Sequence, residues 1–90
     1  MATFIISYDI SDDGNYDKLY EKLKSYNGWA KITESTWAIG SSKKAAEIRN
    51  DLKPLIGDSG RLFVIKSGMG AAWRNVIASN EWLKKNKNPN

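Results

Sequence analysis

The hydrophobic pattern of this chain changes period along its length, and the order of those changes limits the folds open to it. Thr3 to Tyr8 is a short, β-favouring apolar run bounded by turn residues, the pattern of a buried strand. Successive strand side chains point to opposite faces. Phe4, Ile6, Tyr8 and Ile10 therefore share one face, and Ile5, Ser7 and Asp9 the other. After the loop "SDDGN", Asn15 is placed to cap a helix whose Tyr16, Leu19, Tyr20 and Leu23 form one apolar stripe. Asn27-Gly28 ends that helix, since glycine is free to take the left-handed conformation. The stretch "WAKITESTWAIG" returns to alternation but is long for one strand. A bend or tight hairpin is expected near Glu34-Ser35.

The second half continues the alternation of helix and strand, with no internal repeat. Ser41 or Ser42 is expected to cap a second helix with Ala45, Ile48, Leu52 and Leu55 facing inward, and Pro54 to kink or end it. "GDSG" reads as a turn and Arg61 to Lys66 as a strand. Gly68-Met69-Gly70 reads as a turn too, because it lacks the strand, glycine-loop and lysine spacing of a nucleotide cradle. Ala71 to Lys85 is expected to be helical, with Trp73, Ile77, Trp82 and Leu83 on its apolar side. The order β-α-β-β-α-β plus one helix predicts an α+β, ferredoxin-like βαββαβ domain over residues 1–85, with 86–90 as a disordered basic tail. Two helices would cover one sheet face. The other, carrying Ile5, Ser7 and Asp9, stays bare unless the last helix or a partner covers it, so a homodimer is expected.

Composition then narrows the chemistry. A chain of 90 residues buries roughly 60–65% of its unfolded surface, enough for a core but not for a deep catalytic cavity. It has no cysteine and no histidine, which removes thiolate and imidazole and leaves carboxylates, lysines, tyrosines and hydroxyls. A metal in such a setting would be a hard, oxygen-liking ion, Mg²⁺ or Mn²⁺. No apolar run is long enough to span a membrane, and the first residues lack the basic start of a secretory signal. A cytoplasmic setting without membrane partners is expected. The net charge of +4 is uneven: residues 1–45 balance six basic against six acidic side chains, and residues 46–90 carry eight against four. Such an excess fits either a nucleic-acid partner or a solvated basic surface.

An apolar first strand ending in Tyr8-Asp9-Ile10-Ser11, an amphipathic helix and then "ITESTWAI" resemble the small CRISPR-associated adaptation family, the Cas-two proteins. The chain is also similar to the related VapD-type toxins and short SinR-like proteins. The SinR-like group resembles it most, through "SYDI", "ESTWAI", "LFVIKSG" and the late "AAW…EWL" pattern, over nearly the whole chain. The likeness to Cas-two proper covers about residues 2–67 and rests on a short motif. The resemblance implies a ferredoxin-like homodimer in which Asp9 lies near its twin. In nuclease members that pair holds a divalent metal and supports phosphodiester cleavage; other members are silent platforms that hold duplex DNA beside an integrase. Two features depart from the family. Gly68-Met69-Gly70 leads into an apparent helix instead of a segment that pairs with the partner subunit, and a strongly basic face is thin.

Asp9 is the sharpest candidate, as catalytic residue and as metal ligand. A carboxylate among apolar strand residues is costly to bury alone, and two copies near a dimer axis would need a cation or a shared proton. Its plainer reading is a strand end bonded to the amides of the turn. Asp12 and Asp13 could add metal ligands from the same loop, and as a plainer reading fit solvated turn and helix-start positions. Ser11, Arg61, Lys66 and Arg74 are the candidate nucleic-acid contacts, with Lys43, Lys44, Arg49 and Lys53 as further cations or a solvated helix face. Of the four tryptophans, Trp37 is expected in the core, while Trp73 beside Arg74 suits base stacking or the pinning of the last helix. Three functions stay open: a metal-dependent endonuclease or toxin, a silent nucleic-acid platform, and a protein-binding module such as a phage or mobile-element protein acting on a bacterial defence complex.

Overall fold

A computed structural model describes residues 1–68 and 70–86. Its elements in chain order are β1 (Ala2–Asp9), α1 (Tyr16–Lys24), β2 (Gly28–Thr33), β3 (Thr36–Ser41), α2 (Ala45–Ile56), β4 (Arg61–Lys66) and α3 (Asn80–Lys85). The strands form one antiparallel sheet in the order β2-β3-β1-β4. This is an α+β fold, and its strand order is compatible with the ferredoxin-like plan. The expected hairpin turns at Glu34-Ser35. One face of the sheet supplies Phe4, Ile6, Tyr8, Trp37 and Ile39 to a core closed by Leu19 and Leu23 of α1 and by Ile48, Leu52 and Ile56 of α2.

Local chemistry explains the helix ends. The Asn15 side chain accepts the Lys18 N–H at 3.0 Å, satisfying one of the unpaired donors of the first turn. Tyr16 departs from the expected stripe: it sits on the exposed flank of α1. The second helix does not start from a serine cap. Ser41 still pairs with Ala2 as the last residue of β3, and its buried hydroxyl accepts the Lys43 N–H at 3.0 Å. Lys44 takes the cap position, where its own N–H donates to Glu47. Pro54 does not stop α2, which runs on to Ile56 and ends at Gly57, φ +94°. Proline gives up the helical donor to Asn50 and crowds that carbonyl, and only Leu55 and Ile56 follow it in the helix.

The last segment differs most from expectation. Helix is confined to Asn80–Lys85, and residues 71–79 have no regular structure. Asn75 takes a left-handed φ of 55°, which an α-helix cannot accommodate, and Ser79 starts a fresh helix by accepting the Trp82 N–H at 3.1 Å. The segment is nonetheless fastened. The Ile77 N–H donates to the Ile32 carbonyl at 2.9 Å, and the Thr3 hydroxyl to the Asn86 carbonyl at 2.5 Å. It covers part of the second sheet face, where Ala30 and Ala38 are buried although their strand neighbours Trp29, Trp37 and Ile39 point to the helical side. Phe63 and Ile65 of the edge strand β4 stay uncovered, at 60% and 48% exposure. Met69 of the expected turn and residues 87–90 of the expected tail lie outside the described residues.

Candidate metal and nucleic-acid site

Asp9 is the last residue of β1 and sits opposite Arg61, the first of β4. Alternation places its carboxylate on the open sheet face with Ile5 and Ser7. The Arg61 guanidinium lies 3.6 Å from it, with the two side chains 84% and 67% exposed respectively. Around them is a shallow hollow of about 190 Å³ that also involves Ser7, Ser35 and Phe63. An ion pair this exposed contributes little to stability. What it does is neutralise the one carboxylate on this part of the face.

The neighbouring acidic loop turns away from Asp9. Asp13 accepts hydrogen bonds from the Ser11 hydroxyl and, at 3.0 Å, from the Asp58 N–H. These donors hold its carboxyl below the usual value of 3.8. The Ser11 N–H donates to the Ile56 carbonyl and the Asn15 N–H to the Leu55 carbonyl, both at 3.0 Å. The loop therefore caps the last carbonyls of α2, which have no partners within the helix. Gly57 makes the approach possible: a β-carbon there would lie 2.0 Å from the Ser11 hydroxyl oxygen. Asp12 is exposed in the turn. Asp9 is thus left as a lone carboxylate, and among the described residues no three acidic side chains converge as a metal site. The donor set of one chain fits Mg²⁺ or Mn²⁺ poorly. A second carboxylate from another copy, together with displacement of Arg61, would be needed.

The expected nucleic-acid residues do not converge either. Arg61 and Lys66 stand at opposite ends of β4, one facing Asp9 and the other Phe4 across the ladder. Ser11 is engaged in the loop against α2. Arg74 is exposed in the irregular segment, and the neighbouring Trp73 indole donates to Asn80 at 2.8 Å. The aromatic and basic side chains that do meet are elsewhere: Lys24 lies 5.3 Å over the ring of Trp29, and Lys31 5.1 Å over Tyr20. Trp29 in turn packs on the core residue Trp37, with ring centroids 5.6 Å apart. Trp37 donates its indole N–H to the Tyr8 hydroxyl at 3.1 Å, and burial pushes the Tyr8 phenol well above its ordinary range. Reading the sequence strand by strand missed the Lys24–Trp29 contact. The helix spacing carried a usable signal for it, since Tyr16, Tyr20 and Lys24 share one flank of α1.

Compared with protein-family models, curated proteins and solved structures, the chain has no significant match. No described helix is long and apolar enough to cross a membrane.

Proposed function

We propose that this chain is a nucleic-acid-associated protein of the Cas-two type, with ferredoxin-like architecture and a cytoplasmic setting, that acts as a homodimer through the open half of its second sheet face. The observation that carries the reading is the grouping of Phe63 and Ile65, exposed on an edge strand, beside the Asp9–Arg61 pair. Large apolar side chains of this kind gain roughly 1.5–3 kcal/mol each when fully buried, and a two-fold axis lets the same patch bury itself. Across such an axis Asp9 of each chain approaches its counterpart. Arg61 supplies the balancing charge, and that favours a silent platform over a nuclease.

The endonuclease is the second reading. It needs the two Asp9 carboxylates to hold Mg²⁺ or Mn²⁺ in place of Arg61; the metal, once bound, would activate water and stabilise a phosphoryl oxygen. In a third, the same apolar patch docks on a protein of a bacterial defence complex. Three measurements separate these. Sedimentation of the wild type should give a dimer and of Phe63→Lys a folded monomer; a wild-type monomer at all concentrations sinks the dimer. Calorimetric titration with Mn²⁺ should show no binding that Asp9→Asn removes. Metal binding by the wild type alone, with oligonucleotide cleavage lost in the same variant, would establish the nuclease instead.

A further inference from the structure

We infer that the end of the molecule farthest from Asp9 carries a binding groove for single-stranded nucleic acid, lined by lysines and ended by Trp29. The inference rests on the nucleic-acid reading above, but on neither the dimer nor Asp9.

Antiparallel topology sorts charge by end. β1 runs from Ala2 to Asp9, so its partners β3 and β4 run the other way and finish beside Ala2 and Phe4. α1 also finishes at this end and α2 begins there. Lys22 and Lys24 close α1, Lys43 and Lys44 precede α2, and Lys66 ends β4. The bond from Thr3 to Asn86 brings the last turn of α3, with Lys84 and Lys85, to the same end. Asp9, Asp12, Asp13, Glu34 and Asp58 belong to the opposite end, with the β1–α1 loop, the β2–β3 hairpin and the α2–β4 turn, where Lys18, Lys53 and Arg61 offset part of their charge. A first half that is neutral in composition is therefore strongly polarised in space.

The basic end is also concave. A cleft of about 630 Å³ lies between Ser42, Lys43, Lys44 and Lys66, with Phe4 at its base. A second, of about 210 Å³, is lined by Lys22, Tyr26 and Asn27 and shares Ser41, Ser42 and Lys43 with the first. The two clefts adjoin at Ser41, Ser42 and Lys43, and we take them together as the groove. The carboxylates of α2 that bond to groove residues do so in place: Asp51 accepts from Lys43 at 2.6 Å and from the Tyr26 hydroxyl at 3.0 Å, and Glu47 accepts the Lys44 N–H at 2.9 Å. Among the described residues no carboxylate lies within ion-pair distance of Lys24, Lys44 or Lys66. Beyond Asn27, at the β2 edge, stands Trp29, 41% exposed, with Trp37 packed against it and Lys24 5.3 Å over its ring, so that a stacking base takes the place of Lys24 and frees that ammonium for a phosphate. Cations that track a phosphate backbone beside a braced, exposed ring are what single strands use, because unpaired bases can stack. A duplex has no free base for Trp29, and an acidic peptide would need the lysines but not the ring.

The test is fluorescence anisotropy with a labelled oligothymidine of about 15 nucleotides, over a range of salt. Trp29→Ala should weaken binding about tenfold. Lys44→Gln with Lys66→Gln should lower the slope of log affinity against log salt by about 1.4, or about 0.7 for each lost phosphate contact. Lys18→Gln, at the other end of α1, should leave both unchanged. The lysine variants lie on the surface, so they remain informative if Trp29→Ala fails to fold. Affinity and slope unchanged in the lysine pair, with binding weakened by Arg61→Gln or Arg74→Gln, overturns the groove and leaves the nucleic-acid reading standing. Tighter binding of the matching duplex overturns the single-strand assignment. No binding at low salt overturns both readings.

Discussion

Gly57 acts through the side chain it lacks, and Asp13 through the one it has. The positive φ of Gly57 and the closeness of Ser11 leave no room for a β-carbon. Gly57→Ala should cost more than about 1 kcal/mol, read as a lower urea midpoint with an unchanged slope. Asp13 predicts a pH effect of definite sign. Its folded-state carboxyl is held below the ordinary 3.8 by Ser11 and the Asp58 N–H. Its contribution is therefore fully present above that value and is lost as pH falls through the lower, folded one. Thermal melts in acid should show the wild type losing stability more steeply than Asp13→Asn below about pH 4. Asp51, also held low, by Lys43, adds to the same slope in both proteins. The sequence placed Asp13 in a turn; it could not say that the turn closes on α2, because the partners lie more than forty positions away.

At the scale of elements, β1 is the hub, paired with β3 on one side and β4 on the other. Alternation alone assigned Phe4, Ile6 and Tyr8 to its buried side. The bond from Trp37 to Tyr8 is a product of register. Tyr8→Phe leaves that buried indole N–H without its acceptor and should cost roughly 1–3 kcal/mol, measured by chemical denaturation. The segment after β4 makes a contrasting case. Its apolar spacing suggested a single helix from Ala71, but left-handed Asn75 and the Ser79 cap break it, and attachment to β2 and Thr3 decides where it lies. A chain ending at Ser67 should fold with a lower melting temperature and bind a hydrophobic dye, because Ala30, Ala38 and Ile5 lose their cover. An unchanged melt would show that the segment contributes nothing to the sheet.

The molecule as a whole is polarised: lysines gather at one end, whereas the Asp9 end mixes carboxylates with Arg61, Lys18 and Lys53. Position of charge, more than net charge, should govern its contact with polyanions. Lys44→Glu with Lys66→Glu and Lys18→Glu with Lys53→Glu change net charge equally. On a heparin resin the first pair should elute at clearly lower salt than the second; equal elution would mean that only total charge matters. The same view separates two surfaces that sequence reasoning had merged. Arg61 belongs with Asp9 and the apolar patch of β4, and Lys66 with the lysines at the far end.

By itself the sequence determined the α+β class, the element order, the Asn15 cap, the hairpin at Glu34-Ser35 and, of the helical core, Leu19, Leu23, Ile48 and Leu52. Each depends on local spacing or on one residue's own conformational preference. Only the tertiary structure decided that Asp12 and Asp13 leave Asp9 alone, that Arg61 neutralises it, and that lysines scattered from position 22 to position 85 meet at one end. Those outcomes follow from strand direction and register. Both arise from pairing between residues far apart in the chain, so no window along the sequence contains them.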